Sequence, residues 1–179
     1  SVPEMRNLSF ESSRGEIVAI LEDHEVAPPD WCLNMIAAHK ADAEVAAIAG
    51  PIENIHPSSI TNWAAFFCEY CAFMPPVSPG FTNSIPGNNV AYKRWALETI
   101  QPEDRKHAFW ESSLHASLLQ RGCRFRIESD LTVSHQKHFR FFEFIEQRFH
   151  YSRYYAGFIT RENGWLYKLI RSVACIILP

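Results

Sequence analysis

Four consecutive side chains that can bind a metal ion or a proton follow the first strongly apolar segment of the chain. The segment spans residues 17–21, and it is followed by Glu22, Asp23, His24 and Glu25. Buried strands do not accommodate such a cluster, so we expect it at a strand's carboxyl end, where open α/β sheets bind ligands. Carboxylates and an imidazole in one short turn suit a divalent cation that carries phosphates. The alternative is an acidic surface turn that caps the next helix.

A long, proline-rich loop precedes a second group of polar residues. Residues 74–86 contain four of the eleven prolines of the chain, and Gly87, Asn88 and Asn89 follow directly. Loops of this length without regular structure are uncommon in compact domains and often carry function, as lids and binding loops do. Pro-Gly and Asn-Asn are also common turn formers, so an ordinary turn is the alternative.

Two further residues that could do chemistry stand at the ends of predicted elements. Glu111 lies near the start of a helix predicted over residues 109–120, and Gly122 suits the C-terminal cap of that helix. The helix dipole favours the ionised form of a glutamate at this position, although a simple helix-terminal charge shows the same pattern. His135 ends a short predicted strand and His138 follows it; a solvated or internally satisfied histidine is the common alternative at both positions.

The elements that must position these residues alternate between strands and helices, which predicts an α/β fold. Apolar runs of strand length are found at 17–21, 44–49, 90–92, 124–127 and 131–133. Helical patterns cover 30–40, 63–73, 95–100, 109–120 and 139–157. We expect the aromatic residues of 63–73 to be largely buried, and Phe142, Ile145 and Phe149 to form a core-facing stripe. So few strands predict that an N-terminal part of the sheet is missing.

Composition narrows the class of protein. The chain has 179 residues, 47% of them hydrophobic and 21% charged, as in an ordinary globular domain. A net charge of −3 argues against nucleic-acid binding as the main task. The five cysteines lack the spacing of a disulfide framework. Cys68 and Cys71 form a CxxC, which could be a redox or zinc site, but we expect buried structural thiols. Because the chain starts at Ser1 and ends in an apolar run, we expect a fragment of a longer protein.

The order of these features resembles the family 2 glycosyltransferases, which have the GT-A fold. It is similar in particular to bacterial members that carry Leu-Glu-Asp-His, here residues 21–24, where most of the family has Asp-x-Asp. The resemblance extends from Arg6 to about Gly157. It implies a mixed sheet flanked by helices in a catalytic domain over residues 1–160, without the first part of the fold, which grips the nucleotide base.

The resemblance implies an inverting transfer of a sugar from a nucleotide-diphosphate donor to a saccharide or lipid-linked acceptor. The product would be a surface polysaccharide or a glycolipid. Glu111 matches the family's general base, although Ser112 stands where the family usually has a second acid. The segment 87–89 matches one near the donor sugar, where Asn88 and Asn89 would bond sugar hydroxyls and Gly87 would allow close approach. Arg6 matches a position near the nucleotide.

A divalent metal on the diphosphate is also implied. We expect Asp23 and His24 to hold it with Glu22 close by, and His135 to lie near the metal and the diphosphate. A neutral imidazole binds Mn²⁺ better than Mg²⁺, so Mn²⁺ is the expected ion.

Arginines on the last long helix are further candidates for binding the donor. Arg148 and Arg153 could pair with diphosphate oxygens through the guanidinium group. Equally, they could pair with Glu143 and Glu146 on a solvated face.

The C-terminal residues 161–179 combine Trp, Tyr, Lys and Arg with an apolar run, a composition typical of a membrane interface. We therefore expect an interfacial helix or the start of a membrane segment, and a location at the cytoplasmic face of the cell membrane. The alternative is a helix packed on the core.

Two other functions compete with the transferase. One is a sugar- or nucleotide-binding relative without catalysis, which the substitutions at Glu22, His24 and Ser112 keep open. The other is a metal-dependent hydrolase, although the chain contains no dense ligand motif such as HExxH.

Overall fold

The computed structural model describes residues 2–55, 59–102, 104–105, 111–138 and 140–177. Three predicted helix residues, Phe109, Trp110 and Phe139, lie outside them. The chain divides into two compact units, Ser1–His138 and Phe139–Pro179. The division thus falls before the last long helix, whereas we had expected a boundary near residue 160.

The first unit contains two sheets. Its strands are β1 Ile17–Ile20, β2 Glu25–Val26, β3 Val45–Ala49, β4 Ile52–Asn54, β5 Gly80–Thr82, β6 Val90–Lys93, β7 Arg124–Ile127 and β8 Val133–His135. The larger sheet has the order β1-β6-β3-β7-β5, and the smaller one has the order β2-β8-β4. Both sheets are mixed, because β3–β7 and β4–β8 are parallel pairs and the other pairs are antiparallel.

Five α-helices of the first unit are described. They are α1 Val2–Ser12, α2 Trp31–Ala41, α3 Ile60–Tyr70, α4 Arg94–Glu98 and α5 Glu111–Gln120. A 3₁₀ turn, Cys71–Phe73, continues α3. Gly122 follows α5 with φ of +80°, a backbone conformation that favours glycine and ends the helix as predicted. The α/β class and the mixed sheet flanked by helices are confirmed.

The core lies on both sides of the larger sheet. On β6, Val90 and Tyr92 belong to one buried cluster and Ala91 to the other, as the two-residue period of a strand requires. The first cluster includes Leu114 and Leu118 of α5. The second includes residues from α2 and α3, namely Trp31, Met35 and Phe66. Helices therefore cover both faces of the sheet.

The aromatic helix α3 is less buried than predicted. Phe66 is 1% exposed, but Phe67 is 45% exposed. Cys68 and Cys71 are exposed free thiols, so the prediction of buried structural cysteines is wrong. Only one face of α3 meets the sheet, and apolar composition alone did not distinguish that face from the solvated one. Cys123, by contrast, belongs to the first core cluster, and burial raises the pKa of its thiol.

The predicted elements shift in two places within the first unit. The last strand is Val133–His135, two residues later than the predicted 131–133. The proline-rich loop contains the short strand β5, which pairs with β7 at the edge of the larger sheet. Strands of three residues are too short for a periodic pattern to define their ends.

The second unit consists of α6 Phe141–Ile159 and α7 Trp165–Ile177. Phe142, Ile145 and Phe149 are 82%, 49% and 62% exposed, so the prediction that they pack into a core is wrong. Their spacing does form one stripe on α6, but the stripe faces solvent. None of the described helices has the length and the apolar character that crossing a membrane requires.

Candidate functional site

Three of the predicted metal ligands come together at one end of the first unit. Glu22 and His24 lie in the turn between β1 and β2, and His135 ends β8. Pairing of β2 with β8 brings the turn to the histidine, since Glu25 is opposite His135 in the register. Glu22, His24 and His135 each place one ligand atom within 4.8 Å of the others.

Asp23 lies outside this group of ligand atoms. Its side chain is fully exposed, and Asp23 Oδ1 lies 2.9 Å from Nδ1 of His24. The hydrogen bond to His24 lowers the pKa of the Asp23 carboxyl. A carboxylate on Nδ1 fixes the tautomer of an imidazole and directs its other nitrogen to a metal, as in many metal sites. Asp23, a predicted direct ligand, contacts the imidazole of His24 in the structure.

The arrangement of His24 and Glu22 fits a bound cation. Nε2 of His24 lies 3.0 Å from Oε2 of Glu22. With the proton on Nδ1, this contact joins a nitrogen lone pair to a carboxylate oxygen, so it requires a proton or a metal ion between them. The His24 and His135 rings meet edge to face, with centroids 4.7 Å apart. Two imidazoles and one carboxylate can hold a transition metal with coordination positions left open.

Tyr70 supports the cluster from the end of α3. Its hydroxyl donates a hydrogen bond to Oε2 of Glu22 at 3.1 Å, and its ring lies 5.0 Å from the His135 ring. Burial, together with the negative charge of Glu22, raises the pKa of Tyr70. Tyr70 thus stays a neutral donor that holds the Glu22 carboxylate in place.

Glu25 connects the acidic turn, residues 22–25, to the segment 87–89. Glu25 Oε1 accepts a hydrogen bond from Nδ2 of Asn88 at 2.7 Å, and Oε2 accepts one from the backbone N–H of Glu22 at 2.9 Å. Burial raises the pKa of Glu25 to about 8, against the opposing effect of the Glu22 amide. Glu25 therefore joins the acidic turn to the segment 87–89 through direct hydrogen bonds.

Asn89 has a structural role. It is fully buried, and its side-chain amide donates to the carbonyls of Pro51 and Leu131 at 2.9 and 2.8 Å. Its Oδ1 accepts a hydrogen bond from the indole of Trp31 at 3.1 Å. These contacts use both ends of the amide, so the expectation that Asn89 binds sugar hydroxyls is not supported by its surroundings.

Glu111 begins α5 and pairs with Arg6 of α1. The guanidinium Nη1 lies 2.5 Å from Oε1, and both side chains are largely buried. Gly87 lies directly against the Glu111 side chain, because a Cβ at this position would be 1.7 Å from Cγ of Glu111. The chain of contacts from Glu22 through Glu25, Asn88 and Gly87 therefore reaches Glu111.

A buried polar pair joins α5, one turn after Glu111, to the strand β6. The hydroxyl of Tyr92 and Nε2 of His115 are 2.7 Å apart, and both residues are buried. Burial lowers the pKa of His115 to about 4, so the imidazole is neutral at pH 7 and accepts from the tyrosine. Burial likewise raises the pKa of Tyr92. This hydrogen bond fixes α5 against β6.

The remaining predicted residues lie elsewhere. His138 Nδ1 is 3.0 Å from the amide nitrogen of Asn62. Arg148 and Arg153 belong to the second unit, where the Arg148 guanidinium lies over the Phe144 and Tyr151 rings and Arg153 is exposed. Diphosphate binding by either arginine stays a prediction.

Sequence reasoning missed one residue of this site, Tyr70, and two contacts between residues that it had named. Tyr70 carried no signal, because nothing in an aromatic helix marks the residue that meets an acid 48 positions earlier. Glu25 belonged to the predicted acidic cluster, but its contact with Asn88 was not predicted; its place in a two-residue strand could have indicated a side chain turned inward. The pairing of Arg6 with Glu111 spans 105 residues, which no local pattern predicts.

The chain matches no protein-family model and no curated protein.

Proposed function

We propose that the chain is a metal-dependent glycosyltransferase of the family 2 type. It would move a sugar from a nucleotide-diphosphate donor to a saccharide or lipid-linked acceptor at the cytoplasmic face of a membrane. The observation that carries the proposal is the continuous set of contacts that links the Glu22–His24–His135 cluster to Glu111. A transferase needs a cation for its leaving group and a base for its acceptor within one site.

Glu22, His24 and His135 would hold the metal, and Asp23 would orient His24. A bound divalent cation stabilises the negative charge that a diphosphate leaving group accumulates. Two imidazoles in the ligand set favour Mn²⁺ or Zn²⁺ over Mg²⁺, because nitrogen ligands suit the transition metals better.

Glu111 would accept the proton of the attacking acceptor hydroxyl. The Arg6 guanidinium pairs with Oε1 of Glu111 and so fixes the position of the group that would act as the base. The backbone at Gly87 restricts where the Glu111 side chain can lie, so the carboxylate is positioned before a substrate arrives. Asn88, fixed by Glu25, supports this backbone from the side of the acidic turn.

A metal-dependent hydrolase is the second candidate. Two histidines and a glutamate are the ligand set of several zinc hydrolases, in which a water molecule occupies the open position. The cluster of Glu22, His24 and His135 has this composition. The two functions differ in Glu111, which the hydrolase does not need.

The deciding experiment is a donor panel of UDP-, GDP- and dTDP-sugars, assayed with Mn²⁺, Zn²⁺, Mg²⁺ or a chelator. We expect release of a nucleoside diphosphate that requires Mn²⁺ or Zn²⁺ and that increases when a saccharide or lipid-linked acceptor is added. Glu111→Gln should abolish turnover but retain metal binding. Asp23→Asn should weaken metal affinity by roughly 10- to 100-fold.

The matched controls are Glu98→Gln, an exposed glutamate at the end of α4, and Asp130→Asn, an exposed turn residue; both should behave as the unmodified chain. Metal-dependent hydrolysis that Glu111→Gln leaves intact would establish the hydrolase instead. Nucleotide binding without turnover would point to a binding relative and contradict the transferase.

A further inference from the structure

The charge of the chain is unevenly distributed between its two units. Residues 139–179 contain six basic and three acidic side chains, a net charge of +3, whereas the whole chain carries −3. The first 138 residues therefore carry −6. A basic unit of about forty residues is attracted to anionic surfaces even though the protein as a whole is acidic.

The helix α7 has a sharply divided surface. Its apolar face is made of side chains that are between 48% and 75% exposed, namely Trp165, Leu166, Leu169, Ile170 and Val173. The opposite face carries Lys168 and Arg171. An amphipathic helix with basic residues on one face and Trp and Leu on the other is the pattern of helices that lie in a membrane interface.

The helix α6 adds a second exposed apolar surface in the same unit. Phe142, Ile145 and Phe149 recur at the spacing of one helix face, and all three are largely exposed. Exposed apolar side chains that adjoin one another on a helix face are typical of contacts with a membrane or a partner. Arg140 and Arg153, also exposed, add positive charge to this helix.

The geometry points to a membrane-docking function: we propose that α6 and α7 bind the surface of bilayers that contain anionic lipids. The apolar face of α7 would enter the boundary between headgroups and acyl chains, and Lys168 and Arg171 would reach the headgroups. A second copy of the chain fits less well, because it would bring together two surfaces of the same positive charge. The proposal deepens the membrane location given in the proposed function, on which it rests in that respect, and vesicle binding tests it separately from transferase activity.

The test is co-flotation of the whole chain with vesicles of phosphatidylcholine alone, or with 30% phosphatidylglycerol, at low and high salt. We expect binding to the anionic vesicles that weakens with salt, and much weaker binding to the neutral ones. Leu169→Ser/Ile170→Ser should reduce binding by roughly tenfold or more, since it removes the apolar anchor. Lys168→Gln/Arg171→Gln should reduce it by about fivefold for each charge.

The matched control is Leu33→Ser/Ile60→Ser, which removes two apolar side chains of the first unit that are 70% and 90% exposed. It should bind vesicles as the unmodified chain does. Trp165, the only tryptophan after residue 139, supplies an independent readout: brominated lipids should quench its fluorescence, and Trp165→Phe should remove that quenching.

Three results would overturn the proposal. One is the absence of binding to any vesicle. Another is equal loss of binding in the control and the α7 variant, which would show that hydrophobicity in general is responsible. The third is a concentration-dependent dimer that Leu169→Ser/Ile170→Ser dissociates, without vesicle binding, which would assign the surface to a second copy.

Discussion

At the scale of single residues, the proposed site depends on the contact of the Asp23 carboxylate with His24 and on the absence of a side chain at Gly87, beside Glu111. Asp23 is the most exposed member of the acidic turn, and its contact is with His24 Nδ1. Glu111 lies over a backbone position that has no side chain. Asp23 is placed by its contact with His24, and Glu111 by the absence of a side chain at Gly87. A substitution at Gly87 therefore tests the position of Glu111 directly.

Gly87→Ala should displace Glu111 without disturbing the metal ligands. The added methyl would stand 1.7 Å from Cγ of Glu111, so the side chain must move and its pair with Arg6 must break. We expect turnover to fall by about 100-fold while metal affinity changes by no more than about twofold. Gly157→Ala is the control, because a Cβ there meets no atom within 4 Å. Unchanged turnover in Gly87→Ala would remove Glu111 from the mechanism.

His115 should make the fold sensitive to acid. Burial lowers its pKa to about 4, so between pH 4 and 6.5 the unfolded chain binds a proton that the folded chain does not. Stability contributed by this residue therefore falls as the pH decreases from 7 to 5, by on the order of 2 kcal/mol. Urea unfolding at both pH values measures it.

Glu25 opposes this trend, because its raised pKa lets the folded chain keep a proton that the unfolded chain has lost. The comparison with His115→Gln isolates the histidine, since that variant cannot be protonated. An equal decrease of the unfolding free energy in the variant and the unmodified chain would contradict the assignment.

At the scale of elements, the two sheets are joined at Gly50, where the backbone is closely packed. This residue joins β3 to β4, and a Cβ there would lie 2.0 Å from the carbonyl oxygen of Leu131 and 2.7 Å from Nδ2 of Asn89. The Asn89 amide closes the same junction by bonding Pro51 and Leu131. The backbone of the segment between β3 and β4 therefore lies directly against the backbone at Leu131, at the point where the chain leaves the larger sheet and enters the smaller one.

Gly50→Ala should destabilise the first unit by about 3 kcal/mol, because the methyl forces a backbone carbonyl to move in a closely packed region. The free energy of unfolding in urea checks this. Gly164→Ala, where the methyl meets open space, should leave it nearly unchanged. Equal stability of the two variants would show that the junction can relax.

The elements also show how far sequence patterns reach. The strand β1, the helices α2 and α5 and the positive φ of Gly122 follow from periodicity and capping, which are local properties. The smaller sheet was not visible, because its strands have only two or three residues. That sheet brings His135 to His24, so residue types could nominate the ligands but could not show that Asp23 turns away from the cluster.

At the scale of the whole molecule, the two units should be separable. Every member of both core clusters lies within residues 1–138. A chain that ends at His138 should therefore unfold cooperatively and bind the metal with the affinity of the longer chain, but lose binding to anionic vesicles. Circular dichroism and metal titration of this shorter chain measure both properties. A fragment without a cooperative transition would show that the second unit is needed for folding.

The whole-molecule scale is also where sequence reasoning was weakest. The periodicity of α6 correctly identified an apolar stripe, but a stripe does not reveal whether anything covers it. The prediction placed Phe142, Ile145 and Phe149 in the core, whereas all three face solvent. Burial depends on what packs against a helix, and that information lies outside the helix.

The buried thiol of Cys123 can report how often the core of the first unit opens. Its thiol is 7% exposed among the residues of the first core cluster, whereas Cys32, Cys68 and Cys71 are exposed. A disulfide reagent should therefore modify the exposed thiols at once and Cys123 only during transient opening of the core. The rate of that slow reaction reports the opening equilibrium under native conditions. Bound metal should decrease the rate of Cys123 modification if the metal-ligand cluster and the core open together.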